Sequence, residues 1–259
     1  MVTIKTLQEI EIMRTGGALL ARALKKAVEA VRPGVRLFEL DAIAREYLED
    51  GGGAPAFLGY RPSRHESPYP STLCISVNDE VVHGIGIRDY ELQEGDIVGL
   101  DIGVRYPAAD GLFTDMAVTV PVGEVSSEAR ALIDTTRQSL DLAISMVAPG
   151  VWIHEIGREI QNFCEAKGYG VVRDLSGHGV GYKIHEDPVI VNFYDAKAPK
   201  VQLKEGMVIC LEPMITAGSW KVKVDEDRWT VRTADRSLAA HFEHTIAVTA
   251  KGHDVLTQL

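Results

Sequence analysis

The fold is decided by LQEGDIVGLD at residues 92–101 and by its near copy LKEGMVICLE at residues 203–212. Each stretch begins with a glycine-containing turn, continues into a short apolar strand and ends on a carboxylate, Asp101 or Glu212. Because the two stretches share Leu, Glu, Gly and a second Leu at equivalent positions and both end on an acid, they indicate an internal repeat. We therefore expect two similar halves, each of which places an acid at the end of a strand.

Three further pairs of motifs recur in the same order. They are VRPGV (31–35) with VAPGV (147–151), HGIG (83–86) with HGVG (178–181), and FTDMAVTV (113–120) with FEHTIAVT (242–249). An amphipathic helix pattern follows each copy of the first pair, and an acid, Asp115 or Glu243, opens the strand in each copy of the last. The repeat predicts one α/β domain over residues 1–259, with pseudo-twofold-related halves at roughly 31–123 and 147–252.

The remaining elements follow from periodicity and turn residues. Residues 6–30 and 127–147 have apolar residues at helical spacing and predict two more helices. Residues 219–233 predict a hairpin, in which KVKV and WTVRT flank the polar turn DEDR. Residues 54–82 predict strands and loops.

Composition and charge exclude several classes of protein. The chain has 259 residues, 46% of them hydrophobic, which is typical of a soluble globular domain. A net charge of −10 argues against a nucleic-acid site or an anionic membrane partner, since phosphates would be repelled. The N-terminus has no unbroken apolar run, so we expect neither a signal peptide nor a membrane span, and a cytoplasmic location.

The cysteines predict free thiols. The chain has three cysteines, Cys74, Cys164 and Cys210, which are widely spaced and form no CxxC motif. Neither a disulfide framework nor a cysteine zinc site is therefore indicated, and reduced thiols fit the cytoplasm.

The repeated acids point to metal chemistry. Carboxylates carried by strands of two symmetric halves can converge between the halves, where they repel one another unless cations neutralise them. Oxygen ligands with one imidazole, that of His178 between glycines, suit divalent Mn, Fe, Co or Zn. Any one such acid is more often a solvated strand end, so the interpretation depends on the joint pattern. His65, His154, His241, His244, His253 and Glu205 are expected to be ordinary structural or turn residues.

Motifs over most of the chain resemble those of type I methionine aminopeptidases. They are PAFLGY (55–60), LCISVNDEVVHGIG (73–86), LDIG (100–103), FTD (113–115), SGHGVGYKIHEDP (176–188), CLEPM (210–214) and WTVRTADRSLAAHFEHTIAVT (229–249). The resemblance implies the pita-bread fold, in which two α/β halves form an antiparallel sheet with helices outside it. The chain looks like the short bacterial form, without a type II insertion or an N-terminal zinc-binding extension.

The resemblance also implies roles for individual residues. Two divalent ions, Co, Mn, Fe(II) or Zn, would be held by Asp101, Asp115, His178, Glu212 and Glu243. Glu212 would also act as general base on the attacking water. His83 would contact the substrate near the scissile amide and assist the leaving nitrogen, and His185 would hydrogen-bond the carbonyl oxygen as it becomes an oxyanion. A methionine pocket would be lined by Tyr60, Tyr69, Cys74, Ile184 and Trp229.

The activity implied by the resemblance is removal of the initiator methionine from nascent polypeptides, with a preference for polypeptides whose second residue is small. The expected partners are N-terminal methionyl peptides, with transient ribosome contact, and the chain is expected to be a monomer. The alternative of the same fold is an Xaa-Pro aminopeptidase or prolidase, which usually carries an extra N-terminal domain. A non-catalytic binding protein of this fold is the alternative from another class, although all five metal ligands are retained here.

The sequence departs from the family pattern at four places. RPSRHES at residues 61–67 looks like an insertion beside the substrate pocket, and YPAAD at residues 106–110 lengthens the interval between the two aspartates. Gly86 stands where proline is more frequent, and Ile184 stands where an aromatic residue is frequent. We expect these departures to affect substrate preference.

Overall fold

A computed structural model describes residues 2–63, 67–197 and 200–258, so residues 64–66 of the RPSRHES segment, with His65, lie outside it. Its helices are α1 (Leu7–Ala30), α2 (Leu37–Asp50), α3 (Ser127–Ser145) and α4 (Ile153–Glu165). The helices expected at 6–30 and 127–147 are confirmed to within two residues. None of the helices in the described ranges has both the length and the apolar character needed to cross a bilayer.

Side-chain caps explain where two of the helices begin. At the start of α1, the Thr6 hydroxyl accepts from the Glu9 backbone nitrogen at 3.2 Å, and the Glu9 carboxylate accepts from the Thr6 nitrogen at 2.7 Å. Ser126 caps α3 in the same way, accepting from the Ala129 nitrogen at 3.1 Å. These bonds satisfy backbone donors that the first turn of a helix leaves without partners.

Fifteen strands are found in the described ranges. They are β1 (Ala54–Pro55), β2 (Leu73–Val77), β3 (Glu80–Val82), β4 (Ile97–Tyr106), β5 (Leu112–Pro121), β6 (Gly170–Val171), β7 (Gly177–Gly179), β8 (Glu186–Ile190), β9 (Val208–Leu211), β10 (Met214–Thr216), β11 (Val222–Val224), β12 (Val231–Thr233), β13 (Ala239–His241), β14 (Glu243–Thr249) and β15 (Gly252–Val255). A nine-stranded antiparallel sheet runs β1-β4-β5-β14-β9-β7-β8, with β2 on β4 and β15 on β14. Two three-stranded sheets, β13-β10-β6 and β11-β12-β3, complete the fold.

The large sheet joins the two halves of the chain at β14. This strand pairs with β5 of the first half through Glu243↔Ala117 and with β9 of the second half through Thr245↔Cys210. One apolar core lies between α1, α2 and the β2-β4-β5 strands, and another lies between α3, α4 and the second-half strands. Since β14 belongs to the sheet of both halves, the junction is part of the continuous backbone ladder.

The repeat is visible in equivalent hydrogen bonds. The Gly34 nitrogen donates to the Leu92 carbonyl at 2.8 Å, and the Gly150 nitrogen donates to the Leu203 carbonyl at 2.9 Å. Both glycines have a positive φ, 88° and 91°, which glycine adopts without the steric cost of a Cβ atom. The expected fold class, two pseudo-twofold-related α/β halves with an antiparallel sheet and outer helices, is confirmed.

Two expectations about the strands are wrong. Asp101 does not end its strand, because β4 continues to Tyr106, and Asp115 lies inside β5 instead of opening it. The reason is the ten-residue ladder between β4 and β5, which continues to the pair Tyr106↔Leu112 and carries both acids into the middle of the sheet. The last four residues of YPAAD, 107–110, therefore lie in the connection of the β4–β5 hairpin, whereas Tyr106 ends β4.

The second predicted hairpin is confirmed with a longer turn. Strands β11 and β12 pair from Val222↔Thr233 to Val224↔Val231, so the turn spans residues 225–230 and contains Trp229. Asp227 explains the extension, since its carboxylate accepts from the backbone nitrogens of Trp229 and Thr230, both at 2.8 Å.

Candidate active site

Five side chains converge at the centre of the large sheet, and we call them the floor: Asp101, Asp115, His178, Glu212 and Glu243. Oxygens of Asp101, Asp115 and Glu243 all lie within 4.8 Å of one another. His178 Nε2 lies 3.4 Å from Glu212 Oε1, 3.9 Å from Glu243 Oε1 and 4.0 Å from Asp115 Oδ2. The structure thus brings together all five residues that the sequence singled out as metal ligands.

Strand register explains the convergence. Ala117 on β5 is the partner of Asp101 on β4 and of Glu243 on β14, so the two acids flank one small residue on a single rung of the sheet. Asp115 lies two residues before Ala117 and therefore points to the same face. Residues directly opposite in antiparallel strands also share a face. The carboxylates of Asp101, Asp115 and Glu243 therefore project from the same face of the sheet into one space.

Burial dominates the electrostatics of the floor. Removal from water raises the pKa of Asp101 to about 6. Burial, together with repulsion from neighbouring acids, raises the pKa values of Asp115, Glu212 and Glu243 well above their ordinary range. Burial also lowers the pKa of His178 to about 3. In the described parts of the chain no lysine or arginine forms an ion pair with these four acids. No lysine or arginine among the described residues therefore compensates the charge of this cluster.

The donor atoms fit divalent cations. Among the described residues, Asp101 Oδ1 and Glu243 Oε1 are buried without a hydrogen-bond partner, although buried oxygens of this kind are normally satisfied. His178 Nδ1 donates to the Gly179 carbonyl at 3.0 Å, which leaves the Nε2 lone pair directed at the acids. Carboxylate oxygens with one imidazole nitrogen are ligands for ions such as Mn, Fe(II), Co and Zn.

His241 belongs to the same site, although its sequence context predicted an ordinary structural residue. It is 4% exposed, and its Nε2 lies 3.6 Å from Glu212 Oε2. Burial lowers the pKa of His241. The only sequence signal was its position two residues before Glu243, in a motif with several other candidates. The proximity of His241 to Glu212 was not predicted from the sequence.

The floor lies in a cavity of about 930 Å³, and we call six of its lining residues the wall: Tyr60, Tyr69, Cys74, His83, His185 and Trp229. These six were predicted from the sequence to contact substrate. The seventh, Ile184, is 5% exposed and packs in the apolar cluster behind the cavity instead of lining it. Phe57 and Met214 line the cavity and were missed, because neither differs in sequence from an ordinary core residue.

The apolar part of the wall is held by the Tyr69 side chain. Tyr69 is 2% exposed, donates from its hydroxyl to the Gly84 carbonyl at 2.7 Å, and packs edge-on against Trp229 with ring centroids 5.1 Å apart. Burial raises its pKa well above the ordinary value, so the hydroxyl remains a donor. Cys74 is 4% exposed beside it and is the strand partner of Asp101. The wall thus joins a compact aromatic and thiol surface directly to the floor.

His83 has an unusual backbone conformation. Its φ of 60° lies in the left-handed region, which a residue other than glycine adopts only when its surroundings impose it. Burial, together with the charges of His185 and His241, lowers the pKa of His83 to about 4. The imidazole is therefore neutral near pH 7 and carries one N–H and one lone pair.

An ion-pair network supports the wall behind His83. The Arg232 guanidinium on β12 binds Asp79 Oδ1 at 2.8 Å and Glu80 Oε1 at 2.9 Å, and it also binds Asp225 in the turn that holds Trp229. Glu80 belongs to β3, the strand that ends one residue before His83. One guanidinium thus connects the two segments that present His83 and Trp229.

His185 is the wall residue that contacts the floor. Its Nδ1 lies 3.0 Å from the Tyr60 hydroxyl, and its ring packs edge-on against that of His178 with centroids 4.5 Å apart. The imidazole can therefore reach a group bound at the floor while Tyr60 fixes its orientation.

The two insertions differ in their relation to the cavity. Pro62, from the described part of RPSRHES, lines it, whereas no residue of YPAAD does so among the described residues. YPAAD lies against the end of α2, with the Ala108 nitrogen donating to the Gly52 carbonyl at 3.0 Å. Gly86, where proline is more frequent, uses its N–H to donate to the Ser71 hydroxyl at 3.0 Å. The three cysteines, Cys74, Cys164 and Cys210, are free and buried.

Comparison with known proteins gives a consistent result. Residues 11–250 match the model of metallopeptidase family M24. A methionine aminopeptidase of Aquifex aeolicus (strain VF5) is 42% identical over 97% of this chain and 97% of its own. The crystal structure of methionine aminopeptidase from Thermotoga maritima superposes with a TM-score of 0.93 at 39% identity, covering both chains completely. The prolidase from Pyrococcus furiosus has a TM-score of 0.77 at 25% identity, and only 65% of its chain is covered.

Proposed function

Because the chain belongs to metallopeptidase family M24 and to its methionine aminopeptidases, we propose that it removes the initiator methionine from nascent polypeptides by hydrolysis. The observation that carries the proposal is the floor, where three buried carboxylates, the largely buried Glu212 and one imidazole meet at the base of a cavity with an aromatic and thiol wall. The full-length match to methionine aminopeptidases supports it over the prolidase alternative, whose similar structure is considerably longer. The whole chain would act as a single catalytic domain.

We propose that the floor holds two divalent ions. Asp101, Asp115, His178, Glu212 and Glu243 would be the ligands. Cobalt, manganese, iron(II) and zinc all fit a set of oxygens with one imidazole, and availability would decide among them. When bound, the ions supply Lewis-acid polarisation of the scissile carbonyl and activation of water near neutral pH.

The residues of the chain would move the proton and stabilise charge. Glu212 would accept a proton from the attacking water and return it to the leaving nitrogen. His185 would donate a hydrogen bond to the carbonyl oxygen as negative charge develops there. Neutral His83 would contact the scissile amide on the leaving-group side. The C–N bond breaks, and water supplies the hydroxyl of free methionine and a proton of the new amine.

The wall would select the side chain. Tyr69, Cys74 and Trp229 form an apolar, polarisable surface that suits a thioether, and Tyr60 closes the side next to His185. The free α-amine of the substrate would bind beside the acids of the floor. Because only the first residue of a chain has such an amine, the enzyme would cleave only at the N-terminus. A small second residue would be preferred, because the site closes around it. Ile184 would support this surface from behind.

We propose that the chain works as a cytoplasmic monomer on methionyl peptides that emerge from the ribosome, with only transient ribosome contact. Three buried free thiols are compatible with a reducing compartment. The exposed Tyr182, Val189 and Val224 lie at the cavity edge, where an extended chain would leave the site.

The test is hydrolysis of Met-Ala-Ser, Met-Leu-Ser, Pro-Ala-Ser and Ala-Pro-Ser by chelated protein before and after addition of Mn or Co. We expect metal-dependent cleavage of Met-Ala-Ser alone. Cleavage of Ala-Pro-Ser in its place would assign the chain to the prolidase branch. If two ions bind but no peptide is cleaved, the proposed activity is wrong.

A further inference from the structure

The first residues of the chain lie against the segment that carries His185. We call residues 2–9, which include the start of α1, the N-terminal strap, and residues 181–187, which continue into β8, the His185 loop. The Lys5 nitrogen donates to the Gly206 carbonyl at 2.7 Å, which fixes the strap beside the large sheet. Thr3 of the strap and Tyr182, Lys183, His185 and Glu186 of the loop all line the cavity. The strap therefore reaches the site itself.

A buried ion pair connects the two segments. Lys5 Nζ lies 2.8 Å from Glu186 Oε2, and the two side chains are only 1% and 6% exposed. The Thr3 hydroxyl donates to the same carboxylate oxygen at 2.5 Å, and Lys5 also donates to Thr3. Charges withdrawn from water to this degree require a partner in good geometry, so each segment fixes the position of the other.

The backbone of the His185 loop also contacts the Glu186 carboxylate. The second oxygen of Glu186 accepts from the Lys183 nitrogen at 2.8 Å, and the Gly181 nitrogen donates to the Lys183 carbonyl at 3.1 Å. A Cβ at Gly181 would lie 2.3 Å from Cε of Lys5, so the lysine stem packs directly on the loop backbone. His185 lies between these anchored residues, and its backbone position depends on Glu186.

A second contact holds the outer end of the loop. The Tyr182 hydroxyl donates to Glu9 Oε1 at 2.8 Å, while Glu9 Oε2 caps the first turn of α1. Lys5 Nζ also lies 5.2 Å from the centre of the Tyr182 ring. The loop is thus tied to the strap on both sides of His185, through Tyr182 and through Glu186.

We infer that the N-terminal strap positions His185 for catalysis, with Lys5 and Glu186 as the positioning residues. Neither residue needs to touch the reacting atoms, because they act by holding the loop that presents His185 to the substrate carbonyl. The inference rests on the proposed function for its effect on turnover. The attachment of strap to loop can be measured without it.

The first experiment measures kcat and KM for Met-Ala-Ser in the metal-loaded protein. Lys5→Met should lower kcat by about tenfold and leave KM within about twofold, since displacement of a catalytic group mainly weakens transition-state contacts. In a His185→Ala background, Lys5→Met should lower kcat no further, because the group that it positions is gone. A full additional loss in that background would show a general structural effect and overturn the inference.

Two variants guard against misfolding and non-specific effects. Lys26→Met removes a lysine from an exposed pair with Glu29 on α1 and should leave kcat unchanged. The double variant Lys5→Met/Glu186→Gln removes both buried charges, so it should fold even if Lys5→Met does not. Its kcat should still be reduced, and a wild-type kcat in the double variant would overturn the inference.

The second experiment is amide hydrogen exchange over residues 181–190 in the same metal-loaded variants. Exchange should accelerate about tenfold or more in Lys5→Met and in the double variant, and should be unchanged in Lys26→Met. Unchanged exchange in the double variant would show that the strap does not hold the loop. If wild-type protein fails to cleave Met-Ala-Ser while exchange changes as expected, the proposed function fails and the attachment stands.

Discussion

The floor and the wall of the cavity are built by different means. Four of the five floor residues lie in strands of one antiparallel sheet, and Glu212 directly follows β9 of the same sheet. The Asp101–Ala117–Glu243 rung fixes the spacing of two of the acids through the backbone ladder. The wall comes mostly from loops and turns, where His83 has a left-handed backbone and Trp229 sits in a six-residue turn. Regular backbone thus fixes the positions of the floor acids, which would bind metal and transfer protons. Individual side-chain contacts fix the positions of the wall residues, which would contact the substrate.

The largest effect should come from a single change in the floor. Glu212→Gln keeps the size of the side chain but removes its ability to take a proton, so kcat should fall by about 10³-fold or more. Circular dichroism and the unfolding midpoint should remain close to those of wild type. Glu205→Gln, at an exposed turn position, is the matched control and should have wild-type kcat. A near-normal rate for Glu212→Gln would refute the assignment of the floor.

Loss of a wall residue that reaches the floor should have a smaller effect. His185→Ala should lower kcat by about 100-fold with little change in KM, because its hydrogen bond strengthens as the oxyanion forms. His253→Ala, whose imidazole contacts the Val147 carbonyl far along the chain, is the control for loss of an imidazole. If only KM changes in His185→Ala, then His185 binds the ground state and the proposed role is wrong.

A change behind the wall should affect stability and recognition more than the chemical step. Arg232→Met leaves Asp79, Glu80 and Asp225 without their shared cation, which should cost about 2 kcal/mol of folding free energy. KM for Met-Ala-Ser should rise several-fold, because Trp229 loses its support, while kcat changes less. Urea unfolding and steady-state kinetics measure both quantities.

The control for that change lies on the same network. Arg236 binds Asp79 at 2.9 Å, but its side chain is 60% exposed, so Arg236→Met should alter stability by less than about 0.5 kcal/mol. Equal losses in the two variants would mean that the burial of Arg232 does not matter.

The smallest effect concerns pH. The pKa of His83 is about 4 in the folded chain, below its ordinary 6.5, so its contribution to stability is fully present above pH 6.5 and is lost as pH falls towards 4. His83→Gln should therefore reduce the loss of stability between pH 6.5 and pH 4.5 by about 1 kcal/mol. Urea unfolding of the chelated proteins at the two pH values measures this, and parallel curves would contradict it.

The same contrast explains what the sequence could predict. The floor was predictable because repeated strand patterns place acids at equivalent positions, and a sheet brings such positions together. Its details were not, since Asp101 and Asp115 lie inside long strands whose extent depends on partners distant in sequence. His241 was missed because its contact with Glu212 depends on how β13 enters the site.

The wall was predictable only through family resemblance. Nothing in the residues themselves distinguishes Phe57, which lines the cavity, from Ile184, which lies behind it. Lys5 has the sequence character of a solvated lysine near a helix start, and its burial becomes visible only when the strap meets Glu186, 181 residues later. Contacts between loops distant in the chain carry no periodic signal, so only the structure reveals them.

The order of the five proposed metal ligands along the sequence means that the metal site depends on an uncut chain. Asp101 and Asp115 precede the exposed connection at residues 123–124, and His178, Glu212 and Glu243 follow it. A single nick at this connection would divide the ligand set two to three, with neither fragment retaining a complete site. Full ion binding would therefore require both fragments to be present and paired with each other along β5 and β14.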